Sequence, residues 1–278
     1  MILPGSDSQE FAATLSSVTG EPIGQVEYGR FPDGEQIVQI PEPENRAIVV
    51  SSTLSDKSHI ELLQLQDAAR EVGVRELITV IPYLGYARQD KAFEPGQPVS
   101  ARAMARAIST GTDQVITVNP HEQSVLEYFD VPAKSVDASS YLSQGLPSMD
   151  DPLFIGPDES AIDLAEGVRD AYGFGDVDYF EKVRLSGDDV EITPHHTTAS
   201  NRNVVIVDDI VATGSTMSRA IEALQSPAKI VVACIHPLLA GNARTKLARA
   251  GVEQIIATDT IDRSVSSVSA AVPVAESL

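Results

Sequence analysis

The stretch VVIVDDIVATGST, Val204 to Thr216, changes character twice. Val204 to Val207 is an unbroken β-branched run, the pattern of a parallel strand buried on both faces. Two acids, Asp208 and Asp209, end it. Ala212, Thr213, Gly214, Ser215 and Thr216 then form a small, hydroxyl-rich turn that opens onto a helical pattern from Met217 to Leu224. A helix N-terminus offers backbone N–H groups without intrahelical acceptors, and its dipole favours an anion. Carboxylates just ahead of such a cradle suit a ligand that carries hydroxyls or magnesium beside its phosphate, so a phosphorylated sugar fits. An ordinary strand-to-helix turn with Asp and Ser/Thr caps fits the same letters.

Outward from this stretch, apolar strands alternate with amphipathic helices. Ala47 to Ser51 reads as a strand, and Ser55 or Asp56 caps a helix whose Ile60, Leu63 and Ala68 fall at helical spacing before Gly73 ends it. ELITVI (Glu76 to Ile81) is a strand, Pro98 sits in the first turn of a helix over VSARAMARAI, and QVITV from Gln114 is again a strand. After a Pro/Ser/Gly-bearing stretch from Ala138 to Asp151 the pattern restarts. It gives LFIGP, a helix from about Ser160 to Tyr172, NVVIVDD, a helix, KIVVACI, a helix and EQIIATD. This order implies α/β architecture with parallel sheets, right-handed crossovers and functional residues at the strands' carboxyl ends. The 278 residues suit two domains, 1–140 and 141–266, with an apolar tail, 267–278, able to dock.

Composition narrows the function. No 18-residue apolar stretch or signal-peptide pattern appears, and Cys234 is the single cysteine, set in an apolar run that reads as a buried strand. That is the profile of a reducing, cytoplasmic compartment. Forty acids against 20 bases give a formal charge of −20, which argues against nucleic acid as a partner. With only six lysines among those bases, the acid excess resembles the surface of proteins from salt-loving organisms, whose self-repulsion salt screens. Phosphates would then have to be held locally, by backbone amides, placed Arg and Lys, and Mg²⁺. Neither GxxxxGK[ST] nor a helix-opening GxGxxG occurs, which disfavours P-loop and dinucleotide enzymes.

Five further segments carry chemistry-bearing residues. Phe31, Asp33, Gly34 and Glu35 in FPDGE could stack a base and accept from an exocyclic amine, or form a plain turn between strands. Arg88 and Gln89, in PYLGYARQDK, follow a strand end, where a guanidinium can fork onto phosphate. His121, after QVITV, could serve a nucleotide or metal. Asp158, closing LFIGP, could hold Mg²⁺ or a ribose hydroxyl, or cap a helix. Lys182 and Arg184 alternate, so an extended chain projects both to one side, as charge-stabilising groups on a lid or as solvated bases. His195 and His196, in TPHHTT, read as surface loop.

The segment from Asp208 to Thr216 resembles the PRPP loop of type I phosphoribosyltransferases and of ribose-phosphate pyrophosphokinases. The other segments, in the same order, are similar to the pyrophosphokinases alone: the FPDGE adenine loop, PY-x-GYARQD, the His121 segment and the Lys-x-Arg catalytic loop. The resemblance implies two tandem type I phosphoribosyltransferase-like domains, each a mainly parallel sheet flanked by helices. It implies a diphosphoryl transfer from Mg-ATP to C1 of ribose 5-phosphate, giving PRPP and AMP. On that basis Phe31, Asp33, Gly34, Glu35, Arg88, Gln89 and His121 would serve ATP, and His121 and Asp158 the metal. Asp208, Asp209, Ala212, Thr213, Gly214, Ser215 and Thr216 would serve ribose 5-phosphate. Lys182 and Arg184 would be catalytic, Arg184 also touching the sugar phosphate. The Phe31 loop would reach a neighbouring subunit's site, which implies at least a homodimer. Two departures stand out: Glu159 and Ser160 replace the family's usual glycines, and Ala212 stands where an Asp is frequent. A PRPP-consuming phosphoribosyltransferase and a non-catalytic regulatory subunit are the rival readings.

Overall fold

A computed structural model describes residues 1–41, 45–186, 189–195 and 197–278, with the side chains at 182–186 and 189–193 outside the description. The chain divides into two compact units, the first made of Met1–Asp137, Thr260–Asp262 and Ser269–Leu278, the second of Ala138–Asp259 and Arg263–Val268.

In the first unit the elements are β1 (Ile2–Pro4), α1 (Gln9–Thr19), β2 (Glu27–Arg30), β3 (Gln36–Gln39), β4 (Arg46–Val50), α2 (Asp56–Glu71), β5 (Glu76–Ile81), α3 (Ser100–Ser109), β6 (Gln114–Val118) and β7 (Ala133–Val136). Five of these strands form a parallel sheet in the order β1-β4-β5-β6-β7, while β2 and β3 make a separate antiparallel hairpin. Strand β4 shows why the run is apolar throughout: Ala47 and Val49 join a cluster with Leu62, Leu65, Leu77 and Ile81, and Ile48 and Val50 are equally buried. Each such Leu or Ile contributes roughly 1.5–3 kcal/mol on burial. Helix α2 starts at a reciprocal cap, with Ser58 N–H donating to Ser55 Oγ (3.2 Å) and Ser55 N–H to Ser58 Oγ (2.8 Å). Gly73, at φ +94°, lies just past its end. Pro98 lies outside α3, which starts at Ser100 with Val99 as cap; the Pro98 carbonyl instead accepts from Gln89 Nε2 (3.4 Å).

The second unit contains β8 (Pro152–Gly156), α4 (Ile162–Tyr172), β9 (Asp176–Ser186), β10 (Asp189–Pro194), β11 (Asn203–Ile210), α5 (Ser215–Glu222), β12 (Lys229–His236), α6 (Ala243–Arg249), β13 (Gln254–Thr258) and β14 (Ser266–Val268). Its sheet runs β10-β9-β8-β11-β12-β13-β14, parallel except for the antiparallel β9–β10 edge pair. The core joins Leu153, Ile155, Phe180, Val204, Ile206, Val232 and Cys234 to Met217, Ile221 and Leu247 of the covering helices. The helix expected from Ser160 starts later: Glu159–Ala161 form a 3₁₀ turn, and α4 follows from Ile162 to a left-handed Gly173. The last helix, α7 (Ala271–Ala275), belongs to the first unit and packs on α1. Among the described residues no helix is long and apolar enough to cross a membrane.

Candidate active site

Strand β11 lies between β8 and β12, and its buried run Val204–Val207 hands the chain to Asp208 and Asp209. Asp209 N–H donates to Asp208 Oδ1 (3.0 Å). Burial first, then the Asp209 carboxylate, with a further contribution from Asp158, hold the Asp208 carboxyl well above the usual carboxylate range. Three acids from the ends of two adjacent strands therefore share one field. Asp158 is extended, its carboxylate accepts from Ser160 Oγ, and it precedes the 3₁₀ turn without capping it through its side chain.

After β11 the chain is held by backbone bonds to the end of β12 and the segment following it: Val211 N–H to His236 O (3.1 Å), Leu239 N–H to Val211 O (2.9 Å) and Ala240 N–H to Ala212 O (2.9 Å). Gly214, at φ +71°, provides the left-handed entry to α5, and a Cβ there would lie 3.3 Å from Leu247 Cγ. Thr213 and Thr216 are exposed and Ser215 half-buried. Ser218 N–H to Gly214 O is the first bond of the helix, so the N–H groups of residues 215–217 have no intrahelical acceptor. The helix begins two residues before the apolar pattern does. Ser215 Oγ lies 3.1 Å from Thr213 Oγ1 and accepts from Lys246 Nζ at 2.7 Å. No motif in the sequence marks Lys246.

In the first unit, Phe31–Glu35 is the tip of the β2–β3 hairpin, closed by Phe31 N–H to Glu35 O (2.8 Å) and Gly34 N–H to Phe31 O (2.9 Å). Gly34 has φ +95°, Glu35 N–H donates to Asp33 Oδ1 (3.1 Å), and Phe31 is 47% exposed. Locally the segment is the turn between strands that its letters allow, with an aromatic ring held out.

The Pro82–Lys91 segment begins buried and ends exposed. Tyr83 and Leu84 are in the core, and Gly85 passes so near Thr53 that a Cβ would lie 2.1 Å from its carbonyl oxygen. Gly85 N–H donates to Thr53 Oγ1 (2.8 Å), and Thr53 N–H to Tyr83 O (2.9 Å). Tyr86, at φ +62°, donates its hydroxyl to Asp56 Oδ1 (2.6 Å) and lies 5.4 Å from the His59 ring. Gln89 is fixed by Ser100 Oγ, which donates to its Oε1 (2.5 Å). Arg88 points outward, and among the described residues no acid pairs with it. His121 is exposed in the turn after β6.

Lys182 and Arg184 lie two apart on β9, their backbones facing Ile192 and Val190 of β10; their side chains lie outside the described residues, as does His196. His195 is not a free loop residue. It is half-buried, its N–H donates to Tyr179 O (3.0 Å), and its ring stacks on Tyr179 with centroids 4.7 Å apart. Position at the end of an edge strand, opposite an aromatic, overrides the turn-like letters around it. Cys234 is buried beside Asp208 in the sheet, and burial, then that carboxylate, push its thiol far up. It is a packing residue.

The structure thus brings together Asp158, Asp208 and Asp209, and separately Thr213 to Thr216. It places Phe31, Asp33, Gly34, Glu35, Arg88, Gln89 and His121 in the first unit and Asp158, Lys182, Arg184 and the loop in the second. Among the described residues no group of three or more His, Cys, Asp or Glu forms a ready metal cage.

Two family models match: the N-terminal domain of ribose phosphate pyrophosphokinase over residues 1–111, and the phosphoribosyl transferase domain over 123–272. The ribose-phosphate pyrophosphokinase of Halobacterium salinarum is 60% identical over 281 aligned positions, covering 100% of both chains. The chain belongs to the ribose-phosphate pyrophosphokinase family. It is therefore an enzyme, and the expectation of family and α/β fold holds. The Methanopyrus kandleri ribose-phosphate pyrophosphokinase is 43% identical, covering 100% of this chain and 98% of its own. The fold is also that of the crystal structure of phosphoribosylpyrophosphate synthetase from Mycobacterium smegmatis, with a TM-score of 0.85 at 22% identity over 100% of this chain and 96% of that one.

Proposed function

We propose that the chain transfers the β,γ-diphosphoryl group of ATP to the C1 hydroxyl of ribose 5-phosphate, giving PRPP and AMP. The observation that carries this reading is the pair Asp208–Asp209 set directly ahead of a hydroxyl-rich turn whose N–H groups are open, a seat for a sugar that bears both hydroxyls and a phosphate. The match of residues 1–111 to the pyrophosphokinase N-terminal domain favours this over a transferase that only consumes PRPP.

In this reading Asp208 and Asp209 accept from the ribose hydroxyls, and Thr213, Gly214, Ser215 and Thr216, with the backbone at Ala212, hold the 5-phosphate. Phe31 stacks the adenine, Asp33 and Glu35 accept from its amine, and Arg88, Gln89 and His121 hold the nucleotide. Lys182 and Arg184 stabilise the charge that develops on the diphosphoryl group. The protein's work is positioning and charge neutralisation; no covalent intermediate is needed.

Mg²⁺ is the proposed metal. The residues fit a hard cation held partly by substrate oxygens: the donors at hand are carboxylates, they crowd one another's charge at Asp208, and they do not form a closed cage. Asp158 would be the protein's carboxylate ligand and His121 a further contact; when bound, the metal neutralises phosphate charge. The exposed Phe31 hairpin supports service to a neighbouring copy, hence a homodimer or larger assembly. The acid excess, with a Halobacterium relative, supports a chain that works in concentrated salt.

The purified protein incubated with Mg-ATP and ribose 5-phosphate is expected to release AMP and PRPP in equal amounts. Absence of turnover at every salt concentration rejects the reading. Specific activity that does not change on dilution below micromolar protein rejects the shared-site part of it.

A further inference from the structure

The proposed phosphate seat contains no cation of its own. Ala212 to Thr216 has no basic residue, and Asp208 and Asp209, near the end of β11, are acids whose charges already oppose each other. A dianionic phosphate placed there meets open N–H groups and hydroxyls but a repulsive field from Asp208 and Asp209.

Lys246 reaches this loop from α6. Ala243 and Leu247, one turn apart, are fully buried and pack α6 against the loop, with Ala243 O and Leu247 Cγ the nearest neighbours of a Cβ built at Gly214. Lys246, three residues after Ala243, is thereby carried to the loop side, where its Nζ donates to Ser215 Oγ at 2.7 Å. Its side chain is half-buried, and among the described residues no carboxylate pairs with it. Lys229, the other lysine of this unit whose side chain is described, is neutralised by Glu253 at 3.2 Å. In a chain with twice as many acids as bases, an ammonium that pairs with no acid among the described residues and sits on the hydroxyl of the proposed phosphate loop has a role to account for.

We infer that Lys246 is a phosphate-binding residue: its ammonium, oriented by Ser215, donates to the 5-phosphate of the sugar and offsets the field of Asp208 and Asp209. An ammonium has three donors, and Ser215 takes one, leaving two for the ligand. Residue 246 then selects for the phosphorylated over the unphosphorylated sugar. The inference rests on the reading of this loop as the ribose 5-phosphate seat. The 5-phosphate keeps its charge throughout the transfer to C1, so the ammonium's contact with it is the same in the ground and transition states and its loss is read in binding rather than in the chemical step.

The test is direct titration of the whole protein with ribose 5-phosphate and with ribose, in parallel with steady-state kinetics. Lys246→Met is expected to raise the dissociation constant for ribose 5-phosphate tenfold or more, a loss of 1.4 kcal/mol per factor of ten. Binding of ribose, KM for ATP and kcat are expected to stay within about threefold of the parent. Lys246→Arg, which keeps the charge, should restore much of the preference. Lys229→Met removes the same unit charge away from the loop and should change neither ligand, which excludes a general effect of net charge. Equal weakening of both ligands, or unchanged ribose 5-phosphate binding in Lys246→Met, overturns the inference. An unaltered melting temperature separates a binding loss from a folding one, and Lys246→Arg remains as the test if Met destabilises the fold. Parent protein that binds ribose 5-phosphate selectively but makes no PRPP rejects the proposed reaction while leaving the role of Lys246 standing.

Discussion

Replacing Gly85 by alanine should damage the proposed nucleotide loop through a contact that neither neighbour can escape. The added Cβ would lie 2.1 Å from the carbonyl oxygen of Thr53, against a floor near 3.0 Å for real Cβ contacts, so something must move by about 0.9 Å. The obstacle is backbone, and it is tied down: Thr53 N–H donates to Tyr83 O, Tyr83 N–H to Ser52 Oγ (3.1 Å), and Ser52 Oγ to the Thr260 carbonyl (2.7 Å). Overpacking of this kind costs roughly 1–3 kcal/mol. For a domain of this size about 1 kcal/mol moves the melting temperature by roughly 2–4 °C, so a fall of several degrees is expected. The larger effect should be functional. Arg88 and Gln89 follow on the same loop, and a displacement of about 1 Å in a positioning group can cost on the order of 100-fold in rate. Differential scanning calorimetry and the KM for ATP measure the two effects. Gly34→Ala is the comparison: its φ of +95° carries a backbone penalty of roughly 1–2 kcal/mol, but nothing lies within 4 Å of the new carbon. If Gly85→Ala keeps the parent's melting temperature and ATP KM, the close-approach argument is wrong.

Asp208→Asn should stabilise the protein above pH 7 by a few degrees while abolishing turnover. The folded-state pKa of Asp208 is raised, so the native state binds the proton more tightly than the unfolded chain and stability falls as pH rises from the ordinary carboxylate range through that raised value. Asn removes the penalty, and the two melting curves should converge near pH 4; a constant offset across pH refutes the attribution. Lys182→Ala should lower kcat by two or more orders of magnitude with less than about a fivefold change in substrate KM, because a charge needed mainly in the transition state contributes little to ground-state binding; a matching loss of ATP affinity makes it a ground-state contact instead. Melting temperature and activity should both rise between dilute buffer and molar KCl, since salt screens the repulsion of 40 acids against 20 bases; identical values in the two buffers refute the acidic-surface reading.

What was legible in the letters was whatever depends on neighbours in sequence. Strands β4, β5, β6, β8, β11 and β12 are buried on both faces, so their apolar runs announce them, and the loop from Asp208 to Thr216 is a contiguous motif. Three-residue strands such as β1 and β14 carry too few letters for any period to show. The β9–β10 edge pair breaks the strand-helix alternation, and Pro98 lies two residues ahead of the helix, which starts at Ser100. His195 gained an aromatic partner across a hairpin. Lys246 escaped for the same reason, since it meets Ser215 across 31 residues of chain and only the packing of α6 brings the two together.

The first unit is assembled from both ends of the polypeptide: β1 opens the chain, whereas Thr260–Asp262 and α7 arrive last, and Ser52 in the interior is bonded to Thr260. A ribosome therefore makes most of the second unit, Ala138–Asp259, before it supplies the first of the pieces that close the first unit. During translation the residues 1–137 wait with an unfinished surface, for roughly 7–28 s at 5–20 residues per second, while most of the later unit emerges. The segments 260–262 and 269–278 thus act as a folding signal in time, and the nascent chain's need for protection is greatest in its oldest part.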